Sequence, residues 1–297
     1  MTKSPPRRRR KILPVLILLL LILLLLAAFS ESLRTVRYTA VTDKLTGPVR
    51  IVLLTDLHSS YYGEKQADLL HAIQEAAPDL ICLAGDIFDD KISHQGTMDL
   101  LDGIADRYPC YYVTGNHEHW SEEVHILNGL LVSYGVTVLA GDTAEVSVRD
   151  QTITISGIDD PTGFLAEGIP GTPDPDTWYG QLALTEEAVA DSPYYAILLS
   201  HRPEKTEEYR SSPFDLVLSG HAHGGQIRIP FLLNGLFAPG QGYFPAYAGG
   251  EYLLDDTTLI VSRGLCINDL PRVFNRPELV VIDLVPQYNN SQKEDNP

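Results

Sequence analysis

Five apolar runs in this chain each end abruptly in a polar cluster, and few architectures accommodate that regularity. Residues 51–55 lead into Asp56-Leu57-His58, residues 80–84 into Gly85-Asp86, and residues 111–114 into Gly115-Asn116-His117-Glu118. Residues 195–199 run into Ser200-His201, and residues 216–218 into Gly220-His221-Ala222-His223-Gly224-Gly225. Such runs read as buried strands, and ligand sites in open α/β sheets lie beyond the carboxyl ends of strands, so five ends of this kind converge on one crevice. Residues 65–77, 97–107 and 121–134 show helical spacing between strands at 49–55, 79–84 and 110–114, which predicts an α/β core. After Gly135 short strands follow at 136–139, 145–148 and 152–156, with a turn at 149–151. Further strands are expected at 195–200, 216–219, 259–262 and 279–284. Two facing sheets covered by helices hold this count.

The residue types at the strand ends suit divalent metals. In an extended segment side chains two apart point the same way, so Asp56 with His58, and His221 with His223, each present a pair to one place. Imidazole, carboxylate and an amide carbonyl form a hard-to-borderline set that fits zinc, manganese or iron and is too nitrogen-rich for calcium or magnesium. Taken singly, an Asp after a strand is more often a helix cap or turn residue. A lone His is more often a hydrogen-bonded surface or core residue, as expected of His71, His94, His119 and His125. The same signature at five strand ends argues against five independent explanations.

In order, the motifs read Asp56-Leu57-His58, Gly85-Asp86-Ile87-Phe88-Asp89, Gly115-Asn116-His117-Glu118, His201, and Gly220-His221-Ala222-His223. This series resembles that of the calcineurin-like metallophosphoesterases, in their membrane-associated bacterial branch, over roughly residues 35–285. The resemblance implies a four-layer αββα sandwich of two mixed sheets and a site for two divalent metal ions. Asp56, His58 and His223 would hold one ion, Asn116, His201 and His221 the other, with Asp86 bridging and His117 a non-ligand histidine beside the phosphate. Glu118 stands where many members have Asp, which bears on the orientation of His117. Arg263 and Arg272, in a C-terminal pattern similar to that of the branch, read equally as phosphate contacts or structural ion pairs.

The expected activity is hydrolysis of a phosphomonoester or phosphodiester, with two cations about 4 Å apart activating a shared water. Two other readings compete: a dinuclear metallohydrolase that cuts amides or carboxylic esters, and a binding module that keeps the fold without activity. The complete ligand set argues against the latter.

Charge bears on partners. The chain has 297 residues and a formal charge of -17, but Lys3, Arg7, Arg8, Arg9, Arg10 and Lys11 leave only 16 Lys and Arg against 39 Asp and Glu elsewhere. An acidic surface repels a phosphate backbone, so nucleic acid is not an expected partner. Cys82, Cys110 and Cys266 form neither a disulfide framework nor a Cys-x-x-Cys site. Residues 12–29 are uncharged, interrupted only by Pro14, and read as a single membrane-spanning anchor; a cleaved signal peptide ending near Ala27 and Ala28 is the competing reading. The positive-inside rule holds residues 1–11 in the cytoplasm and sends the rest to the extracytoplasmic side.

The resulting plan is a basic segment at 1–11, an anchor at 12–29, a tether with a possible first strand (36–41) at 30–48, a catalytic domain at 49–286 and a polar tail at 287–297. Residues 227–252, joined directly to His223 and rich in Phe, Tyr, Gly and Pro, are expected to wall the cleft or fold into the core. In the first case an exposed apolar wall favours a lipid-linked phosphate ester.

Overall fold

The computed structural model describes residues 9–267 and 270–287; the basic residues at 1–8 and the polar tail from 288 lie outside the described residues. Strand β1 (Arg34–Thr42) leads directly into β2 (Val49–Leu54), after which β3 (Leu80–Ala84), β4 (Cys110–Val113) and β5 (Thr137–Val138) alternate with helices. Strands β6 (Thr143–Val148), β7 (Gln151–Gly157), β8 (Tyr195–Leu199) and β9 (Leu216–Ser219) follow, then a small hairpin of β10 (Phe237–Ala238) and β11 (Gly242–Tyr243). The last strands are β12 (Gly250–Leu254), β13 (Thr257–Val261) and β14 (Glu278–Pro286). The helices are α1 (Arg9–Ala28), α2 (Ala67–Ala76), α3 (Gln95–Ile104), α4 (Asn116–Trp120), α5 (Val124–Ser133), α6 (Trp178–Val189) and α7 (Thr206–Arg210).

Two six-stranded mixed sheets result, ordered β1-β14-β2-β3-β4-β5 and β12-β13-β9-β8-β7-β6. Their alternating side chains divide into three apolar layers. Leu53, Cys82 and Val113 from the first sheet meet Ile155, Ile197, Leu218 and Ile260 from the second in a buried core between the sheets. The opposite face of the first sheet, with Val52, Ile81 and Tyr112, buries Leu69, Ile73, Leu100, Leu101 and Leu127 of α2, α3 and α5. The outer face of the second sheet, with Ala196, Leu198 and Val217, buries Trp178, Leu182 and Tyr209 of α6 and α7. Three apolar interfaces between four layers make the αββα sandwich.

Among the elements that differ from expectation are β1 and α6. The tether carries a nine-residue strand, β1, paired in parallel along its full length with β14, so it belongs to the first sheet. Helix α6 was not foreseen, because Gln181 and Thr185 are buried along with Trp178, Leu182 and Val189 and leave no clean apolar stripe.

Helix α1 stands apart, with every large apolar side chain from Leu13 to Leu26 exposed. Among the described residues no helix is long and apolar enough to cross a membrane.

Candidate metal centre

The strand ends meet as the sequence pattern requires. Asp56 and His58 follow β2, Asp86 follows β3, Asn116 and His117 open α4 after β4, His201 follows β8, and His221 and His223 follow β9. Backbone bonds lace these loops together: Asp56 N–H donates to Gly85 O at 3.0 Å, His58 N–H to Asp86 O at 3.0 Å, and Gly220 N–H to His201 O at 3.2 Å. Gly85 must be glycine here, since its φ is 85° and a Cβ would sit 2.5 Å from His201 Nδ1.

The local geometry is not the extended one expected for Asp56/His58 and His221/His223. Asp56, His58, Asp86, His221 and His223 all have positive φ, from 46° to 64°. A left-handed backbone at a non-glycine residue costs about 1–3 kcal/mol, and such strain persists only where the surroundings enforce it. Tight left-handed turns, rather than strand pleating, aim these side chains inward.

Two groups of donor atoms result, each mutually within 4.8 Å: Asp56, His58, Asp86 and His223 in one, Asp86, His201 and His221 in the other. Asp86 belongs to both. Its Oδ2 lies 3.1 Å from His201 Nε2 and 3.7 Å from His58 Nε2, while Oδ1 accepts the backbone N–H of His117 at 2.8 Å. Asp56 Oδ1 accepts the His221 N–H at 2.9 Å, which leaves Oδ2 buried without a hydrogen-bond partner among the described residues; Asn116 Oδ1 is in the same condition. A buried oxygen left unpaired is costly, and a cation satisfies it.

The outer ring nitrogens are held from behind. His201 Nδ1 is 2.9 Å from Ala84 O, and His58 Nδ1 is 3.3 Å from the Asp89 carboxylate. Each contact fixes the tautomer that turns Nε2 toward the site. His117 Nδ1 is 2.7 Å from Asp90 Oδ1, and its ring meets Trp120 at a 4.8 Å centroid distance. Arg202 grips the buried Asp160 through two bonds of 2.6 and 2.9 Å and brings Nη1 to 2.9 Å from His221 Nε2.

Electrostatics favour a cation. Burial works against a charged His201 ring, but Asp86, Asp56 and Asp160 outweigh it and push the ring up to about 10. Burial, only partly offset by Asp56, lowers His223 to about 3, and burial with the His201 charge keeps His221 well below the histidine range. The carboxylate charge that raises His201 is charge a cation would answer, and His221 and His223 are neutral, as metal binding needs.

Some side chains around the site take parts other than those the sequence suggests, and Asp90 is one the sequence does not point to. Glu118 is fully buried and accepts four backbone N–H groups, from Asp86, Ile87, Phe88 and Gly115, so it staples the β3 and β4 loops instead of orienting His117. Asp90 orients that ring, and nothing but its place after Asp89 could have pointed to it. Cys266 lies within donor range of His58 and His223. Arg272 is buried and donates to the Cys266 and Arg263 carbonyls, a structural role, and Arg263 faces a different cavity.

His58, Asp86, Asn116, His221 and His223 floor a cavity of about 420 Å³ rimmed by Ile92, Trp120, Phe237, Pro239 and Leu270. Phe237 thus walls the cleft as expected, whereas Phe231 and Leu232 do not: they line a second cavity. The sandwich and this donor set define a metallohydrolase.

Comparison with known proteins narrows the class. A family model described as calcineurin-like phosphoesterase matches residues 49–225. The chain is 30% identical to the phosphodiesterase YaeI of Escherichia coli over 244 residues, 80% of this chain and 83% of that one. It is 31% identical to the uncharacterized metallophosphoesterase YkuE of Bacillus subtilis over 242 residues, 79% of this chain and 78% of the relative. A bovine transmembrane protein with metallophosphoesterase domain is 29% identical over 80% of this chain and 53% of its own length. The chain belongs to the calcineurin-like phosphoesterases, metal-dependent hydrolases of phosphoric ester bonds.

Proposed function

We propose that the chain hydrolyses phosphodiesters at two divalent cations, one held by Asp56, His58 and His223, the other by Asn116, His201 and His221, with Asp86 shared. The observation that carries this reading is Asp86, whose single carboxylate lies within reach of both donor groups. Nitrogen-rich donors favour manganese, zinc or iron. When bound, the ions supply Lewis-acid charge and an activated water.

The chain's own residues do the rest. Asp89 and the Ala84 carbonyl hold His58 and His201 with Nε2 forward. Asp90 accepts from His117 Nδ1, so that Nε2 donates a proton to the departing oxygen. The apolar rim of Trp120, Phe237 and Leu270 excludes water and suits apolar ester groups, including a lipid-linked phosphate. The choice of diester over monoester is supported by the relative named a phosphodiesterase.

In this reading residues 12–29 anchor the chain by a single pass, with residues 1–11 cytoplasmic, a catalytic domain at 49–286 outside and a polar tail at 287–297. Support comes from the exposed leucines of α1 and from relatives named as transmembrane proteins. Protease added to spheroplasts should digest the domain while cytoplasmic markers survive; complete protection reverses the orientation.

Turnover of bis(nitrophenyl) phosphate, nitrophenyl phosphate and nitrophenyl acetate by the purified full chain tests the chemistry. The diester should be cleaved best and only with metal present. Acetate cleavage at comparable kcat/KM would replace this reading with a carboxylic-ester hydrolase.

A further inference from the structure

A second cavity, of about 440 Å³, shares no lining residue with the catalytic one. Arg34, Arg228 and Arg263 form its charged wall, and Phe231, Leu232 and Phe274 its apolar lip. Three guanidiniums here are unexpected, given the excess of acidic residues in the chain. One carboxylate answers them: Glu278, fully buried, 3.5 Å from Arg34 Nη2 and 3.7 Å from Arg263 Nε. Arg228 Nη1 is buried with no hydrogen-bond partner among the described residues. Burial and the nearby Arg263 charge hold its guanidinium down to about 10. The cluster carries an excess of positive charge that an anion would balance.

The lip is built to project. Ile229 and Leu233 close a tight turn, Ile229 N–H donating to Leu233 O at 3.1 Å and Leu233 N–H to Ile229 O at 2.9 Å. At its tip Phe231 adopts a φ of 67° and is 107% exposed, with Leu232 85% exposed beside it. A strained backbone that holds an aromatic side chain in water is unfavourable unless something apolar covers it.

The position of the cavity indicates the cover. Phe274 N–H donates to Ala28 O, the last residue of α1, at 2.7 Å. Arg276 Nε and Nη2 donate to the Ser32 and Leu33 carbonyls at 2.9 and 3.0 Å. The cavity wall is therefore tied to the end of the exposed apolar helix.

We propose that this cavity takes the phosphate headgroup of an anionic phospholipid, with Phe231 and Leu232 seated among the acyl chains of the bilayer that α1 enters. The proposal rests on the anchored reading of α1. Guanidinium pairs bind phosphate bidentately, and aromatic and leucine side chains beside basic residues are the composition of an interfacial contact. Such a contact would fix how the catalytic cavity faces the membrane.

The test uses the full chain reconstituted in vesicles, with F231W as reporter and the wild-type chain, which contains Trp120 and Trp178, as background. The emission added by F231W should shift to the blue and be quenched by brominated acyl chains, more in phosphatidylglycerol than in phosphatidylcholine. Adding Arg228→Gln or Arg263→Gln should lower that preference about fivefold each. Hydrolysis of a soluble diester should be unchanged, which checks folding. Flotation with the vesicles without quenching would overturn the proposal and leave the anchor standing. Equal quenching in both lipids would remove the headgroup, and failure to float would sink anchor and cavity together.

Discussion

Glu118→Gln isolates one structural device behind the site. Glu118 Oε1 accepts from Ile87 N–H at 2.7 Å and Phe88 N–H at 3.0 Å, and Oε2 from Asp86 N–H at 3.0 Å and Gly115 N–H at 2.8 Å. In glutamine one oxygen becomes an amino group, so two backbone donors face a donor whichever way the amide turns. Losing two bonds to a charged acceptor costs about 3–6 kcal/mol. Part is returned, because burial and the neighbouring Asp86 already disfavour the charged form and push the Glu118 carboxyl up to about 7. A net loss of about 3 kcal/mol remains, equivalent to a drop in Tm of about 6–12 °C for a domain of this size. The measurement is thermal unfolding of chelator-treated wild-type and variant chains, so that metal loss adds nothing. The freed loops carry Asp86 and Asn116, and metal affinity should fall as well. A Tm within about 2 °C of wild type, with full activity, would refute the stapling argument.

Further outcomes follow from the site. His117→Gln should retain both metals and slow cleavage of unactivated esters about 100-fold, with a smaller loss for nitrophenyl esters, as measured by steady-state kinetics and elemental analysis. Equal losses on both substrates would count against proton donation. Asp90→Asn should lower kcat about tenfold with KM and metal content unchanged, since it positions His117 without touching metal or substrate; a fall in metal content would assign it a different role. Phe237→Ser should raise KM for a lipid-linked phosphodiester well above its effect on the nitrophenyl ester, and equal effects would leave the apolar rim without a role in substrate choice.

The strand ends were legible because buried strands write continuous apolar runs, and the polar residues that interrupt them cannot serve the core. That is why Asp56, Asp86, Asn116, His201 and His221 could be read off as neighbours although they are distant in the chain. What was not legible depends on three-dimensional context. Left-handed turns at Asp56, His58, His221 and His223 have no signature in residues that are not glycine. Helix α6 hides because it is buried on several sides, and β12 because its alternation sits inside a Gly- and aromatic-rich stretch. Phe231 and Phe237 look alike in sequence, yet one lines the arginine cavity and the other the catalytic cleft; a tight turn between Ile229 and Leu233 separates them.

The most direct test of the central claim is metal stoichiometry measured together with diester hydrolysis in the wild-type chain and in Asp86→Ala. Two divalent ions are expected in the wild type, with activity lost on chelation and restored by metal, and at most one ion without measurable activity in Asp86→Ala, because the Asp86 carboxylate lies within reach of both donor groups. Unchanged stoichiometry with full activity in Asp86→Ala would contradict the claim.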